Sequence, residues 1–582
     1  MQFGQHTSQA LKDFSLALSL ANLLMIDPWT RVLGLNAIDV FYRKSPPTRM
    51  DILGVTIAVL FITAAVWSVT TIIREFGSRT LKIAVRTMFL FIAFESFDAI
   101  LSRTARFWWY QNQLHEWYES MARFAPRTTT MLSAIAVIAL VAAMVRWGRQ
   151  LTKVAIPAVM FEIPFVLIMF LQAGGMFVNY GHFAEQFQDQ PAIAVNRNAS
   201  VTPHARVVWM LFDELDEGMI GSKKPYQIPI PEIERLKAQS LVATDAVPPA
   251  YCTRLSLPAY LTGHQIMDID PQGARDVSIG LVSTGQDVPW DPQDNVFAQA
   301  MSEGFATAIV GWYLPYCRML KNSFSSCFWY PMYGDSLKTG ATIPDDILTQ
   351  LWNAADAVPL GQALLKNIDK TAHCEHRITA YEDILAHARR QAVDPSVDLV
   401  FVHFPIPHPP GFYNARLGKF DCKGDYVDNV SLVDATIGKL RAAMTVAGTW
   451  DNSVVIISSD HPYREWSWGA MNWRGRKERT HGEGQLYARV PLIMKLAHEH
   501  SGLRYTGAFN TVLLHDLVLA ALHGSFHSPA NLANWISETG ASRPAPVNVS
   551  MCMPFGPSNS SGTNTFTAGP TRKVDVSGAE DD

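Results

Sequence analysis

The chain has 582 residues, too many for one hydrophobic core, so at least two folding units are expected. Charged residues make up 17% and hydrophobic residues 48%, and the formal net charge is only -4. That balance argues against a nucleic-acid partner and for a chain that lies partly in lipid.

Apolar segments crowd into the first third. The runs 51–73, 81–101, 129–145 and 154–178 are each long enough to span a bilayer at about 1.5 Å per residue. A fifth run, 14–29, is shorter and ends on Asp27-Pro28; it reads as a span, an interfacial helix or an uncleaved signal-anchor. The expectation is a helical transmembrane anchor of four to five spans over residues 1–180. Glu95, Asp98 and Glu162 fall in or near these runs and either face the bundle interior or line a substrate path. The aromatic cluster 106–118 suits the headgroup layer, where a ring is buried and its polar atom stays wet.

The tight loops 74–82 and 146–153 carry Arg74, Arg79, Lys82, Arg146, Arg149 and Lys153, and should be cytoplasmic. The chain after about residue 180 then faces the periplasm or cell exterior, as in a bacterial-type inner (plasma) membrane protein. None of the six cysteines lies in a predicted span or a CxxC pair. An oxidising compartment allows disulfides; Cys317–Cys327 is the pairing expected first and Cys374–Cys422 second.

Residues 181–204 read as a linker, and from about 205 β-branched runs alternate with helical patterns. Strands are predicted at 205–213, 307–312, 397–404, 453–460 and 489–496, and helices at 376–392 and 427–448. Several strands are apolar throughout, as strands covered on both faces are. The fold class is therefore an α/β domain over 205–540 with a central mixed, mostly parallel sheet. Residues 541–582, rich in Ser, Gly, Pro and Asp, read as a disordered tail.

In open α/β sheets ligands gather beyond the carboxyl ends of the strands. Asp213 and Glu214 follow one apolar strand, His403 follows a second, and Asp460 with His461 follow a third. A lone strand-end Asp is usually a turn or cap residue. Three strands ending in oxygen and nitrogen ligands point instead to a divalent metal site, with zinc preferred and manganese the alternative. In "PPAYCTRLSLPAYLTGH" (248–264), Thr253 supplies a hydroxyl that a cation would activate.

The order of these elements resembles the alkaline phosphatase superfamily, and within it the membrane-anchored sulfatase-like branch of lipid phosphoethanolamine transferases and lipoteichoic acid synthases. The carrying features are Asp213 after the first strand, Thr253 ten residues ahead of Gly263 in an "LTG" turn, "HFPIPHPP" (403–410) and "SDH" (459–461 with Pro462 following). The helix from "YVDNVSLVD" (426–434) and the strand "YARVPLIMK" (487–495) fit the same pattern.

The resemblance implies Asp213, Thr253, Asp460 and His461 as metal ligands and Thr253 as nucleophile. It offers His403 and His408 as substrate or second-metal residues, and gives Asp434 a structural role. The chain departs from the pattern at Pro462, where relatives have Gly, and in the insertion that follows. His481 of "HGEG" is either the displaced third histidine of the site or a loop histidine. Arg474, Arg476, Lys477 and Arg479 read as a solvated loop or as a phosphate or headgroup site.

Cys252 lacks the C/S-x-P-x-R context that formylglycine formation needs and reads as a buried or disulfide cysteine. A Thr nucleophile implies phosphoryl chemistry. The expected reaction moves a phosphoalcohol from a membrane phospholipid donor, through phospho-Thr253, to a glycan or lipid acceptor. His403, His408 or His481 would act as acid or base, in a monomer. Two alternatives stand beside it: a hydrolase of phosphodiesters or phosphomonoesters on the same scaffold, and a catalytically altered binding or scaffold protein.

Overall fold

The computed structural model describes residues 2–101, 126–195, 205–221, 229–332, 342–356, 359–464 and 489–543. The aromatic segment 106–118, the insertion 465–484 with His481, and the chain from 544 onward lie outside the described residues. Two compact units result. One combines Met1–Phe187 with Asp335–Lys370, the other Gln188–Gly334 with Thr371–Cys552.

The first unit is helical, with helices Gln2–Leu24, Ile26–Val32, Arg49–Phe76, Arg79–Leu101, Pro126–Met160 and Ile163–Val178. Its interior gathers Ala21, Trp29, Ile52, Val55 and Val59. Helix Arg49–Phe76 opens on a reciprocal cap. The Thr48 hydroxyl accepts from Asp51 N at 3.2 Å, and Asp51 Oδ2 accepts from Thr48 N at 2.7 Å, which satisfies two end donors that have no partner within the helix.

The expected four to five spans are corrected here. Among the described residues two stretches are long and apolar enough to cross a membrane, Arg49–Phe76 and Arg127–Val178. Two predicted spans, 129–145 and 154–178, fall inside the second stretch. The run 81–101 does form a helix, but Lys82, Arg86, Glu95 and Asp98 dilute its hydrophobicity. The run 14–29 is broken between two helices at Met25.

The second unit is built on an eight-stranded sheet. Its strands are β1 (Arg206–Asp213), β2 (Leu241–Ala243), β3 (Thr307–Tyr313), β4 (Ser326–Pro331), β5 (Leu399–Pro407), β6 (Ser453–Ser459), β7 (Leu492–Lys495) and β8 (Leu503–Tyr505). Their order is β8-β2-β7-β6-β1-β5-β3-β4. All neighbours run parallel except β7, which is antiparallel to both β6 and β2. The five strands predicted from the sequence are β1, β3, β5, β6 and β7. Val207 to Phe212 of β1 are fully buried, each such apolar side chain contributing about 1.5–3 kcal/mol. The helices predicted at 376–392 and 427–448 form within Pro359–Val393 and as Tyr426–Val446. A separate antiparallel sheet of three strands spans 266–289.

Arg206 ties the other end of the sheet together. Its buried guanidinium donates to Val397 O at 2.9 Å, Ala392 O at 2.9 Å and Ser453 Oγ at 3.0 Å, joining the starts of β1, β5 and β6. Both expected disulfides form. Cys317–Cys327 links the turn after β3 to β4, and Cys374–Cys422 closes 48 residues of sequence.

Candidate metal-dependent active site

Parallel pairing carries the ends of β6, β1 and β5 to one side of the sheet, and the acidic and imidazole groups meet there. Asp213 ends β1, Asp460 and His461 follow β6, and His403 lies within β5, which runs to Pro407, three residues beyond its predicted end. All four are buried, none more than 1% exposed.

Thr253 is the first residue of helix Thr253–Thr262. Tyr260 of this helix donates to Ser459 O at 2.8 Å, which docks the helix on the end of β6. Gly263 closes it in the left-handed region with φ +70, and a Cβ there would stand 3.0 Å from the His515 ring, so glycine is required. The helix N-terminus is also a favourable place for negative charge.

The Thr253 hydroxyl lies 3.4 Å from Asp213 Oδ1 and 3.3 Å from His461 Nε2. His461 Nε2 is in turn 3.4 Å from both Asp213 Oδ1 and Asp460 Oδ2. One ligand atom each from Asp213, His403 and Asp460 lies within 4.8 Å of the other two. The structure thus brings Asp213, Thr253, Asp460, His461 and His403 together. His408 stands beside them, its Nε2 3.9 Å from Glu214 Oε2.

Hydrogen bonds assign the free atoms. A carbonyl only accepts, so His403 Nδ1 donates to Trp312 O at 2.8 Å and His461 Nδ1 donates to Pro462 O at 2.9 Å. The Nε2 lone pair of each ring is then left for a ligand. Asp460 Oδ1 accepts from the backbone N–H groups of Glu214 at 3.0 Å and His461 at 2.8 Å. Among the described residues Asp460 Oδ2 and His403 Nε2 are buried without a hydrogen-bond partner. Orphaned acceptors this deep are costly unless something positive sits among them.

The charges agree. Burial favours neutral Asp213, but His408, His461 and His403 outweigh it and hold the carboxyl well below its usual range. Burial and the Asp213 charge push Asp460 well above that range. Burial also lowers His403 and His461 to about 4 and His408 to about 3, leaving neutral imidazoles. Two carboxylates, neutral imidazole nitrogen and a hydroxyl form the donor set that a zinc- or manganese-like ion takes.

Several supporting residues escaped the sequence reading. Trp312 donates its indole N–H to Asp213 Oδ2 at 2.7 Å, which turns Oδ1 toward Thr253, and the Arg377 guanidinium lies 3.9 Å over the same indole ring. Tyr316 places its hydroxyl 3.2 Å from His403 Nδ1. Asn429 donates to Pro410 O at 2.9 Å in the His-Pro-Pro loop. Trp312 lies near the carboxyl end of β3, so the strand-end rule that marks Asp213 applies to it too, although an indole, not being a metal ligand, gives no such signal in the sequence.

Two tests arise here. Gly311 lies under the Tyr316 ring, where a Cβ would come within 2.2 Å of Cδ2 and Cε2. Gly311→Ala should therefore lose about 1–3 kcal/mol in thermal denaturation, as overpacked sites do.

Glu217 is buried, and burial pushes it from 4.5 to about 8, with Lys237 opposing and Asp216 assisting. Between those values the folded chain holds a proton that the unfolded chain has lost. The stabilisation is therefore full below about 4.5 and is lost as pH rises through about 8. Glu217→Gln should raise stability by about 1–3 kcal/mol at alkaline pH and leave it unchanged below the unfolded value, read from paired melts.

The sulfatase family model matches residues 206–505, the span that carries Asp213, Thr253, His403, His408, Asp460 and His461. The chain belongs to the sulfatase family, within the alkaline phosphatase superfamily. Solved structures similar to this sulfatase-family chain include a phosphonate monoester hydrolase of Agrobacterium radiobacter, at 12% identity over 56% of this chain and 78% of that one, TM-score 0.34. A sulfatase from Pseudoalteromonas sp. is similar at 17% identity over 56% and 69%, TM-score 0.37. Murine ectonucleotide pyrophosphatase/phosphodiesterase 5 is similar at 12% identity over 55% and 95%, TM-score 0.30. Comparison with curated proteins finds no match.

Enzymes of this family use divalent metals, and the buried Asp213, His403 and Asp460 fit one. Cys252, which sits where the nucleophile of a formylglycine sulfatase would be sought, is disulfide-bonded and so holds no free thiol.

Proposed function

We propose that this protein is a membrane-bound, metal-dependent phosphotransferase that moves a phosphoalcohol group from a phospholipid donor to an extracytoplasmic glycan or lipid acceptor through phospho-Thr253. The observation that carries this reading is the buried Thr253 hydroxyl set between Asp213 Oδ1 and His461 Nε2, 3.4 and 3.3 Å away. A serine or threonine hydroxyl held by a carboxylate and an imidazole is suited to nucleophilic attack. The membrane location rests on the two candidate spans, which would keep the site within reach of a lipid headgroup.

Asp213, Asp460 and His461, with His403, would hold the cation. A divalent cation, zinc or manganese, supplies positive charge that favours the deprotonated hydroxyl and the crowded phosphoryl oxygens. Trp312 holds the orientation of Asp213, and burial keeps water from the hydroxyl.

Attack by Thr253 Oγ forms the P–Oγ bond and breaks the bond from phosphorus to the diacylglycerol oxygen, the hydroxyl proton leaving by way of the adjacent Asp213 carboxylate. The leaving alkoxide takes a proton. The candidate carrier is the Glu214–His408 pair: burial, above all, pushes Glu214 to about 8, so near neutrality the proton sits on Glu214, and His408, a neutral imidazole 3.9 Å away, would pass it on. In the second half an acceptor hydroxyl attacks phosphorus, gives up its proton and frees Thr253.

The test is the mass of the Thr253 peptide from protein purified out of its native membrane, beside a Thr253→Ala control. A phosphoalcohol adduct on Thr253 is expected, and its mass names the donor. Phosphate alone redirects the reading to phosphomonoesters. A bare Thr253 after donor lipid and metal are added overturns the transferase. Release of free phosphoalcohol without an acceptor would identify a hydrolase.

A further inference from the structure

Helix Ile343–Asp356 follows β4 and precedes β5 in sequence, yet it belongs to the helical unit. It starts on a Thr342 cap, whose hydroxyl oxygen accepts from Asp345 N at 3.4 Å. It packs against helix Arg49–Phe76 closely enough that a Cβ on Gly54 would stand 3.0 Å from Asp346 Cβ.

Its polarity is inverted. Asp346, Gln350 and Asn353, spaced four and three residues apart, form one inward row at 0%, 0% and 7% exposure. On the outward side Leu348 is 64% exposed and Trp352, one turn on, 42%. Among the described residues the one outward charge, Asp345, is confined to the first turn, where a headgroup layer would meet it. A surface helix in water does the reverse, turning charged and amide groups outward and burying leucine. In a bilayer the arrangement is the expected one: polar groups face protein, and leucine and the tryptophan ring face acyl chains. The neighbouring helix Arg49–Phe76 has the same outward character, with Phe61 63% exposed.

We propose that helix Ile343–Asp356 is a membrane-embedded element of the lipid interface, inserted by the chain of the catalytic domain, with Leu348 and Trp352 against acyl chains. Its 14 residues extend only about 21 Å, short of the roughly 30 Å hydrocarbon core, so it lies in one leaflet rather than crossing. The row Asp346–Gln350–Asn353 faces protein and avoids the cost of polar groups in hydrocarbon. This rests on the reading that the helical unit sits in lipid, and the test separates the two claims.

No cysteine among the described residues is free, so single spin labels can be attached at L348C, W352C, F61C and V446C, with the wild-type chain as blank. Val446, 91% exposed on the catalytic unit, is the aqueous reference. The full chain in phosphatidylcholine–phosphatidylglycerol nanodiscs is then probed with oxygen, which concentrates in hydrocarbon, and a neutral nickel chelate, which stays in water.

Oxygen-to-nickel collision ratios several-fold above that of V446C are expected at L348C, W352C and F61C. Ratios at 348 and 352 equal to V446C, with F61C high, overturn the proposal and leave the membrane reading standing. Ratios low at all sites overturn both. Exclusion of both reagents at 348 and 352 means that protein covers the face, and the proposal fails. Should a cysteine variant not fold, quenching of indole emission by lipids brominated on their tails is compared between wild type and Trp352→Phe. A quenched component missing from the variant supports the proposal, and identical quenching overturns it.

Discussion

Thr253→Ala is expected to lower kcat on a phosphodiester by at least about 10³-fold, since a covalent nucleophile is removed rather than a binding contact. The hydroxyl is buried, 4% exposed, and stands between Asp213 and His461. Water entering the vacancy would lack both the helix that aims Oγ and the fixed distance to His461. The substitution should be tolerated structurally. Alanine keeps the helical backbone, and the docking of Tyr260 on Ser459 O and the Gly263 cap are untouched. Thr253→Ser retains the nucleophile and should recover much of the rate, which separates loss of chemistry from loss of fold. The measurement is steady-state hydrolysis of a chromogenic aryl phosphodiester with divalent metal present. Activity of Thr253→Ala within about tenfold of wild type would remove Thr253 from the covalent role.

The second large effect concerns the cation. Asp460→Asn is expected to weaken divalent-metal affinity by at least about 100-fold while leaving the metal-free protein folded. The argument lies in which oxygen does what. Asp460 Oδ1 accepts two backbone N–H groups, from Glu214 and His461, whereas Oδ2 has no hydrogen-bond partner among the described residues.

An asparagine must spend its one oxygen on those two donors. Its NH2 group then occupies the Oδ2 position and directs hydrogens toward the cation. Without metal the exchange is mild, because burial and the Asp213 charge both disfavour a charged Asp460 and asparagine keeps the bonds from the Glu214 and His461 N–H groups. The metal-free melting temperatures should therefore agree, while the rise in melting temperature on adding zinc or manganese is lost. Isothermal titration reads the affinity directly. An unchanged affinity would mean that Asp460 is not a ligand.

Much of this site is legible in the primary structure because strand ends are local events. An apolar run that terminates in Asp213, or in Asp460 and His461, marks where a buried strand reaches the ligand side of a sheet. Gly263 likewise announces a helix end, since its left-handed backbone excludes other residues at little cost only to glycine. The Cys317–Cys327 disulfide, ten residues apart, and five strands of the main sheet were accessible for similar local reasons.

What hydropathy misjudged was the count of spans, because a window of apolar residues does not weigh how Lys82, Arg86, Glu95 and Asp98 share one helix.

The chain's own residues determined the α/β class, the metal-type ligands at the strand ends and a hydroxyl set before a glycine turn. Tertiary structure alone decided that β3 lies next to β5, so that Trp312 reaches Asp213 across 99 residues of sequence. It also decided that His403 faces the carboxylates while Nδ1 is spent on Trp312 O, and that helix Ile343–Asp356 turns its polar row inward. Patterns of three to eight residues report backbone conformation and which face is buried. They carry no information on which distant segment supplies the partner, because pairing is set by the packing of the whole sheet and bundle.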